Sequence, residues 1–212
     1  MNISILITSK EHPVNTYIDK WVEKNNNHQI YIIHSKEELT SGDILFLISC
    51  SDIVPKLERD KFKKTLIIHA SDLPHGRGWS PHVWEIINGA TDITLSLLEA
   101  EDKVDTGDIW NKISVHIPKT TLFNEINELI FNSELTLMDF AIENYNTIEP
   151  IKQPDIDSVF WPKRSPKDSV ININKPIVEQ FDLIRVCDPK RFPAYFYKDG
   201  VRFNIIIEKN NE

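Results

Sequence analysis

Short apolar runs alternate with helix-like segments along most of the chain. The runs that predict β-strands are Ile3–Ile7, His28–Ile33, Asp43–Ser49, Thr65–Ile68, Ile93–Leu98 and, with a looser alternation, Ile109–Ile117. Helical periodicity predicts helices at Thr16–Lys24, Ser80–Asn88 and Thr121–Tyr145. Because strands that alternate with helices are typical of βαβ units, the pattern predicts an α/β fold with a mainly parallel sheet.

The composition changes at the end of the longest predicted helix. Residues Glu149–Ser169 are rich in proline and charge, which predicts an extended connector lying on the main domain. A short helix is expected at Pro176–Val186, and an Asp-Gly turn predicts a β-hairpin over Ala194–Ile207. The sequence therefore predicts a main domain at residues 1–148 and a C-terminal extension at 149–212.

Composition and charge narrow the class of protein. The 212 residues, 41% hydrophobic and 26% charged, suit one sizeable core. A net charge of −8 argues against a broad basic surface for nucleic acid. Two cysteines, Cys50 and Cys187, predict no disulfide framework and fit a reducing compartment. No apolar stretch reaches the roughly 20 residues of a membrane span, so we expect a soluble cytoplasmic protein with no membrane partner.

The segment from His69 to Asp108 concentrates side chains that carry chemistry. His69 ends an apolar strand, where α/β clefts form, and an imidazole there can move protons or polarise a carbonyl group. Asp105 follows roughly one βα repeat later, so its carboxylate can reach the same sheet edge and orient the imidazole. Each has an alternative: His69 could bind only loop backbone, and Asp105 could belong to a solvent-facing acidic loop. Ser71 and Asp72 are secondary catalytic candidates.

Polar and aromatic residues around this segment could bind a substrate. The candidates are Arg77, Trp79, His82, Trp84, Lys163 and Arg164. The alternatives are a structural role for the arginine of the loop, core positions for both tryptophans, and a solvated linker for the basic segment Phe160–Asp168. The histidine spacing fits no metal-ligand pattern, so we predict no metal site. No dinucleotide, Walker A or nucleophile-elbow motif supports nicotinamide, nucleoside-triphosphate or serine-hydrolase chemistry.

Two motifs resemble one enzyme family. The first is H-A-S-D-L-P at residues 69–74, with R-G at 77–78, and the second is V-D-T-G-D at residues 104–108. Together they resemble the folate-dependent formyltransferases, whose signature is Asn-x-His-x-Ser-x-Leu-Pro followed by a loop with Asp-x-Gly. The likeness covers about residues 40–145. The later segment W-P-K-R-S-P resembles the sugar N-formyltransferase and methionyl-tRNA branches.

The resemblance implies a Rossmann-like formyltransferase fold and a catalytic domain over residues 1–148. It implies N10-formyltetrahydrofolate as co-substrate and an amine as acceptor. A protonated His69 would stabilise the oxyanion of the tetrahedral intermediate, and Asp105 would hold the imidazole. The pterin ring would lie between two loop segments, whose residues are Ser51, Asp52, Ile53, Ala100, Glu101 and Asp102.

One position departs from the family signature. Ile67 stands where the family has the Asn that donates to the oxyanion. Losing one such donor costs roughly 3–4 kcal/mol in other enzymes. Either Ser71, His75 or a backbone N–H replaces it, or activity is weak or lost. The alternative function is therefore a non-catalytic relative that binds folate or a sugar ligand, or assists a partner enzyme.

The acceptor is expected to be a small molecule. The short extension and the acidic charge argue against a tRNA substrate. We expect a nucleotide-linked amino sugar of bacterial surface-glycan synthesis, such as lipopolysaccharide synthesis. Transfer of a different acyl or one-carbon unit is a third option. The edge of the C-terminal hairpin could pair with a second copy of the chain and form a homodimer.

Overall fold

A six-stranded β-sheet lies at the centre of the molecule, whose computed structural model describes residues 1–210. The strands of the chain are β1 (Asn2–Leu6), β2 (Gln29–Ile33), β3 (Gly42–Leu47), β4 (Phe62–His69), β5 (Arg77–Gly78), β6 (Asp92–Glu99), β7 (Ile109–His116), β8 (Phe160–Trp161), β9 (Ala194–Lys198) and β10 (Val201–Ile205). The α-helices are α1 (Asn15–Lys24), α2 (Lys56–Arg59), α3 (Pro81–Ile87), α4 (Phe123–Glu143) and α5 (Phe181–Arg185). Short 3₁₀ helices lie at Lys36–Glu38, Pro166–Ser169 and Ile177–Gln180.

The strands of the central sheet follow the order β2-β1-β3-β4-β6-β7. The first four are parallel, whereas β6 runs antiparallel to β4 and β7 runs antiparallel to β6. The predicted mainly parallel sheet is confirmed, but its last two strands depart from the βαβ repeat. The pairing of His69 with Ser96 shows why. The segment 70–91, which includes α3, returns to the edge at which β4 ends, so β6 runs back along its neighbour.

The two faces of the sheet bury separate apolar clusters because side chains alternate along each strand. Ile3, Ile5 and Ile7 belong to the larger cluster, which also takes Trp21 from α1 and the buried stripe of α4. Leu6 lies in the smaller cluster, with buried residues of β3 and β4. The smaller cluster also contacts the loops that follow β3 and β6, so it lies beside the candidate site.

The C-terminal extension crosses the main domain and contacts it along its length. Ile151 pairs with Ile109 at the start of β7, and β8 pairs with β5. The helix predicted at Pro176–Val186 is divided into a 3₁₀ helix and α5, because Gln180, at φ −114° and ψ 4°, leaves helical geometry. The predicted hairpin is confirmed as β9–β10. No helix within residues 1–210 is long and apolar enough to cross a membrane.

Candidate functional site

A buried histidine ends the fourth strand of the sheet. The Nδ1 atom of His69 lies 3.5 Å from Oδ1 of Asp105, and its Nε2 atom lies 3.0 Å from the carbonyl oxygen of Gly76. The imidazole therefore has a carbonyl acceptor within hydrogen-bond distance of Nε2 and a carboxylate at ion-pair distance from Nδ1. The two residues that the sequence singled out for chemistry are therefore in direct reach of each other.

The route by which Asp105 reaches this point differs from the one expected. The sequence argument placed it at the end of a parallel strand, one βα repeat after His69. Because β6 is antiparallel to β4, the loop 100–108 instead folds back over the sheet edge, and the N–H of Glu99 donates to the carbonyl oxygen of Asp108 (2.9 Å). The expected juxtaposition is present, but a returning loop produces it.

The Asp105 carboxylate is fixed on both sides. Its second oxygen, Oδ2, accepts a hydrogen bond from the backbone N–H of Gly78 at 2.9 Å, and the residue is 5% exposed. Its backbone is left-handed, with φ 58°. This conformation costs a residue with a side chain roughly 1–2 kcal/mol, so surrounding contacts must hold it.

Gln153, which the sequence analysis did not single out, supplies two of those contacts. Its Nε2 donates to the carbonyl oxygens of Asp105 (3.1 Å) and Gly107 (2.8 Å). Its Oε1 accepts from Nη2 of Arg77 at 3.3 Å. No motif marks Gln153 in the sequence, because a single glutamine in a proline-rich connector carries no periodic or spacing signal.

The secondary catalytic candidates do not contact the His69 ring. Ser71 is buried, and its hydroxyl donates to the carbonyl oxygen of His75 at 2.9 Å. Asp72 is exposed and forms an ion pair with Lys112 at 2.6 Å. The structure thus places Ser71 as a brace of its own loop and Asp72 at the surface.

Ile67 lies two positions before His69 on the same face of β4. Its half-buried side chain packs against one apolar cluster that also contacts Cys50 and Ala100, and against a second that contains Leu98. The position of the family's Asn is therefore occupied by an aliphatic group in an apolar setting. It offers no hydrogen-bond donor to the site.

Two exposed segments flank this apolar surface. Ser51, Asp52 and Ile53 follow β3, and the backbone N–H of Ser51 donates to the hydroxyl of Thr8. The Ile53 side chain is 72% exposed.

The other segment, Ala100, Glu101 and Asp102, follows β6. Arg59 donates to the Ala100 carbonyl oxygen and pairs with the Asp102 carboxylate. Cys50 and Ala100, which adjoin or belong to the two predicted folate segments, pack against the same apolar cluster as Ile67.

Four of the residues proposed to bind substrate, Trp79, Trp84, Lys163 and Arg164, lie in an aromatic cluster between α3 and the connector. Trp84 and Trp161 stack with ring centroids 5.8 Å apart and planes 10° from parallel. Nζ of Lys163 lies 4.4 Å from the Trp79 ring centroid, and the Arg164 guanidinium lies 5.9 Å from that of Trp84. The cation–π contacts bring Lys163 and Arg164 onto the tryptophans of the β5–α3 segment.

The two cationic residues of this cluster differ in exposure and in hydrogen bonding. Nη2 of Arg164 donates to the Asp168 carbonyl oxygen (3.1 Å) and to the Ser169 hydroxyl (3.3 Å), so its guanidinium braces the connector. Lys163 is exposed.

Two titratable groups of α3 are shifted by burial. Burial, with the neighbouring charges of His69, His12 and Arg164, lowers the pKa of His82 to about 4. Burial, with the charge of Asp72, raises the pKa of Glu85 to about 7. His82 is therefore neutral at pH 7, and its buried Nδ1 has no partner within residues 1–210. Across those residues, no three His, Cys, Asp or Glu side chains are grouped as metal ligands would be.

Residues 1–139 match the family described as formyl transferase. The chain belongs to this family. The chain is 27% identical to the methionyl-tRNA formyltransferase of Clostridium acetobutylicum over 195 residues, which are 91% of the chain and 63% of that protein. It is 27% identical to the Rickettsia africae enzyme over 193 residues, which are 90% of the chain and 61% of that protein. The chain thus spans 61–63% of the length of these two relatives.

Solved structures share the fold of this chain. A methionyl-tRNA formyltransferase from Clostridium thermocellum superposes with a TM-score of 0.83 at 25% identity, covering 100% of this chain and 95% of that one. A sugar N-formyltransferase from a Shewanella species gives 0.71 at 18% identity, covering 99% and 98%. HypX from Aquifex aeolicus in complex with tetrahydrofolic acid gives 0.75 at 19% identity, covering 95% and 36%. The resemblance to the formyltransferases is confirmed.

Proposed function

We propose that this protein transfers a formyl group from N10-formyltetrahydrofolate to the amine of a nucleotide-linked amino sugar in bacterial surface-glycan synthesis. The observation that carries the proposal is the buried pair of His69 and Asp105, with Nδ1 and Oδ1 3.5 Å apart at the edge of the sheet. An imidazole beside a carboxylate is an arrangement that supports acyl transfer. Family membership supports the type of reaction.

The chemistry divides between the acceptor and the two side chains. The unprotonated amine attacks the formyl carbon, and a C–N bond forms while the carbonyl π electrons move onto oxygen. A protonated His69 stabilises that oxyanion, and Asp105 keeps the ring oriented. The intermediate then collapses: the bond from carbon to N10 breaks, N10 takes a proton, and the amine nitrogen loses one. Tetrahydrofolate and the formamide leave.

The donor site is proposed between the two loop segments that flank Ile67. Exposed backbone after β3 and β6 can hydrogen-bond a pterin edge, and the half-buried apolar side chains between the segments can contact its face. The shared fold with HypX, whose structure holds tetrahydrofolic acid, supports folate as the carrier. The N10-formyl form follows from the family resemblance.

The acceptor is proposed to lie against the aromatic cluster and Lys163. A stacked tryptophan pair beside a lysine suits a base and a diphosphate. The net charge of −8 disfavours a tRNA acceptor, and a sugar N-formyltransferase shares the fold over nearly the whole chain. The sequence relatives instead favour methionyl-tRNA as the second candidate acceptor.

A mass-shift assay tests the proposal. Protein and N10-formyltetrahydrofolate are incubated with dTDP-, UDP- or GDP-linked amino sugars, or with methionyl-tRNA. We expect the wild type to formylate one of the amino sugars. We expect His69→Ala to formylate no acceptor. Formylation of methionyl-tRNA alone would assign the second acceptor. Binding of folate without turnover on any acceptor would support the non-catalytic alternative that Ile67 motivates.

Three sequence expectations remain predictions. The homodimer through the hairpin edge, the cytoplasmic location and the domain boundary at residue 148 each need their own measurement. Light scattering at several protein concentrations measures the first, and a monomer at micromolar concentration would contradict it.

A further inference from the structure

A buried carboxamide from the connector contacts the loop that carries Asp105. Gln153 lies beyond residues 1–139, the range matched to the family. Its side chain is nevertheless only 8% exposed and lies at the candidate site. We propose that Gln153 is a positioning residue that fixes the Asp105 carboxylate for reaction. The proposal rests on the formyl transfer proposed above, in which that carboxylate orients His69.

The carboxamide cross-links the loop through both of its N–H groups. Nε2 donates to the carbonyl oxygens of Asp105 (3.1 Å) and Gly107 (2.8 Å). A primary amide has two hydrogens on nitrogen, and each of them has one acceptor here. One acceptor belongs to Asp105, whose backbone is left-handed (φ 58°), and the other lies two residues later, so the contact holds the backbone that directly follows the carboxylate.

The oxygen of the same carboxamide contacts β5, the second segment that holds Asp105. Its Oε1 accepts from Nη2 of Arg77 at 3.3 Å. The next residue, Gly78, donates its backbone N–H to Oδ2 of Asp105 at 2.9 Å. Gln153 therefore joins the two segments that hold the carboxylate, one through the Asp105 backbone and one through the neighbour of Gly78.

The geometry selects glutamine among similar side chains. Asparagine is one methylene shorter and would not span from the connector to both carbonyl oxygens. Glutamate would place a carboxylate oxygen where Nε2 faces those two acceptors. Methionine matches the length and volume of glutamine but donates no hydrogen bond, so Gln153→Met removes the cross-link while filling the space.

A matched control lies elsewhere in the extension. Gln180 also cross-links backbone, because its Nε2 donates to the carbonyl oxygens of Asn172 (3.0 Å) and Lys175 (3.2 Å) and its Oε1 accepts from the Asn172 N–H (2.7 Å). It has no contact with His69 or Asp105. Gln180→Met therefore reports the cost of losing such a cross-link away from the site.

The first readout needs no substrate. The ring N–H protons of ¹⁵N-labelled His69, assigned with His69→Ala, report whether Nδ1–H donates to Asp105. We expect a sheltered, downfield N–H resonance in the wild type and in Gln180→Met, and its loss by exchange in Gln153→Met. An unchanged His69 resonance in a folded Gln153→Met would overturn the proposal.

The second readout uses turnover. With an acceptor identified by the mass-shift assay, Gln153→Met should lower kcat by about 10- to 100-fold, with KM for donor and acceptor little changed. In an Asp105→Asn background the same substitution should have almost no further effect, because its target has gone. Equal effects of Gln153→Met in both backgrounds would overturn the positioning role. If the wild type shows no turnover but Gln153→Met still loses the His69 resonance, the proposed function is contradicted. The positioning role of Gln153 is then still supported.

Discussion

At the scale of single residues, Ile67 is the position at which the candidate site lacks the hydrogen-bond donor of the family signature. Its side chain points to the same face of β4 as His69 and packs among apolar neighbours that include Ala100 and Leu98. A carboxamide at this position would add a donor for the oxyanion, at the cost of a polar group in an apolar setting. We therefore expect a carboxamide at position 67 to raise turnover and to lower the stability of the fold.

The substitution Ile67→Asn should separate these two effects. We expect turnover to rise by about 10-fold or more, since one oxyanion donor is worth about 10²–10³ in kcat elsewhere. We expect the free energy of unfolding to fall by about 1–3 kcal/mol, because the amide is half-buried among aliphatic groups. Steady-state kinetics and denaturant unfolding measure the two. Ile67→Val is the control, and unchanged turnover would show that other donors already hold the oxyanion.

How far the site could be predicted depends on where its signal lies. His69 and Asp105 were predicted because both sit in compact motifs with turn-forming neighbours. The route of Asp105 was predicted wrongly, since strand direction is decided by long-range pairing. The contacts of Gln153 could not be predicted at all. They exist only after the connector folds back over the β6–β7 loop, and no local pattern encodes that approach.

At the scale of elements, α4 carries one residue that opposes its burial. Glu134 lies among the buried residues of this helix, and its Oε2 has no hydrogen-bond partner within residues 1–210. Burial raises the pKa of Glu134 from 4.5 to about 8. The folded protein therefore keeps this carboxyl neutral while the unfolded chain ionises it. The resulting loss of stability is absent below pH 4.5, grows as pH rises and is complete above pH 8.

The substitution Glu134→Gln should remove that pH dependence. We expect the variant to be more stable than the wild type by roughly 3 kcal/mol near pH 7, and little different at pH 4.5, because the neutral amide resembles the protonated acid. Urea unfolding across this pH range measures the difference. Glu128→Gln, at an exposed position of the same helix, is the control. A difference independent of pH would mean that the carboxyl is not held neutral.

The two-residue pairing of β5 with β8 depends on a glycine. Gly78 has φ +101°, and a Cβ there would overlap the carbonyl oxygen of Trp161. Gly89 has a similar φ of +92° but open space around it. Gly78→Ala should therefore destabilise the protein by about 1–3 kcal/mol more than Gly89→Ala, whose cost is backbone strain alone.

The same substitution should also reach the site. The Gly78 N–H donates to Asp105, so separating β5 from β8 should lower turnover, whereas Gly89→Ala should leave it unchanged. Calorimetric unfolding and the mass-shift assay measure the two effects. Equal Tm and equal rates in the two variants would show that β8 does not press against this backbone.

Helices and strands with strong hydrophobic periodicity were predicted well. Elements that depend on long-range pairing were predicted poorly. The strands of the sheet and the long α4 were predicted close to their observed bounds. β5 and β8, each of two residues, could not be predicted, since they are strands only through each other. The direction of β6 was missed for the same reason. A connection that contains a helix usually crosses the sheet, and here it returns to the edge it left.

At the scale of the whole molecule, one buried arginine joins the extension to the main domain. Arg185 of α5 is 1% exposed. Its Nη1 donates to the carbonyl oxygens of Pro118 (3.2 Å) and Thr121 (3.3 Å), and its Nε pairs with Asp182 at 2.6 Å. The charge is compensated by that carboxylate and by the loop that precedes α4, so the arginine anchors α5 to this loop.

The substitution Arg185→Met should loosen this join. We expect the free energy of unfolding to fall by about 1–3 kcal/mol, since removing the guanidinium leaves two carbonyl oxygens without their donor and the half-buried Asp182 carboxylate without its partner. The extension should also become sensitive to proteases before the main domain does. Lys175→Met, at an exposed position of the extension, should change neither. Cleavage of both parts at one rate would mean that they unfold as a single cooperative unit.

The long way from His69 to Gln153 along the chain has a consequence for biosynthesis. A ribosome that has released the first 139 residues has supplied all six strands of the sheet and the histidine, but not the carboxamide that braces the turn at Asp105. The nascent protein can thus acquire its scaffold before its reactive geometry. Premature termination in the connector would yield a chain with the sheet in place and the aspartate unbraced.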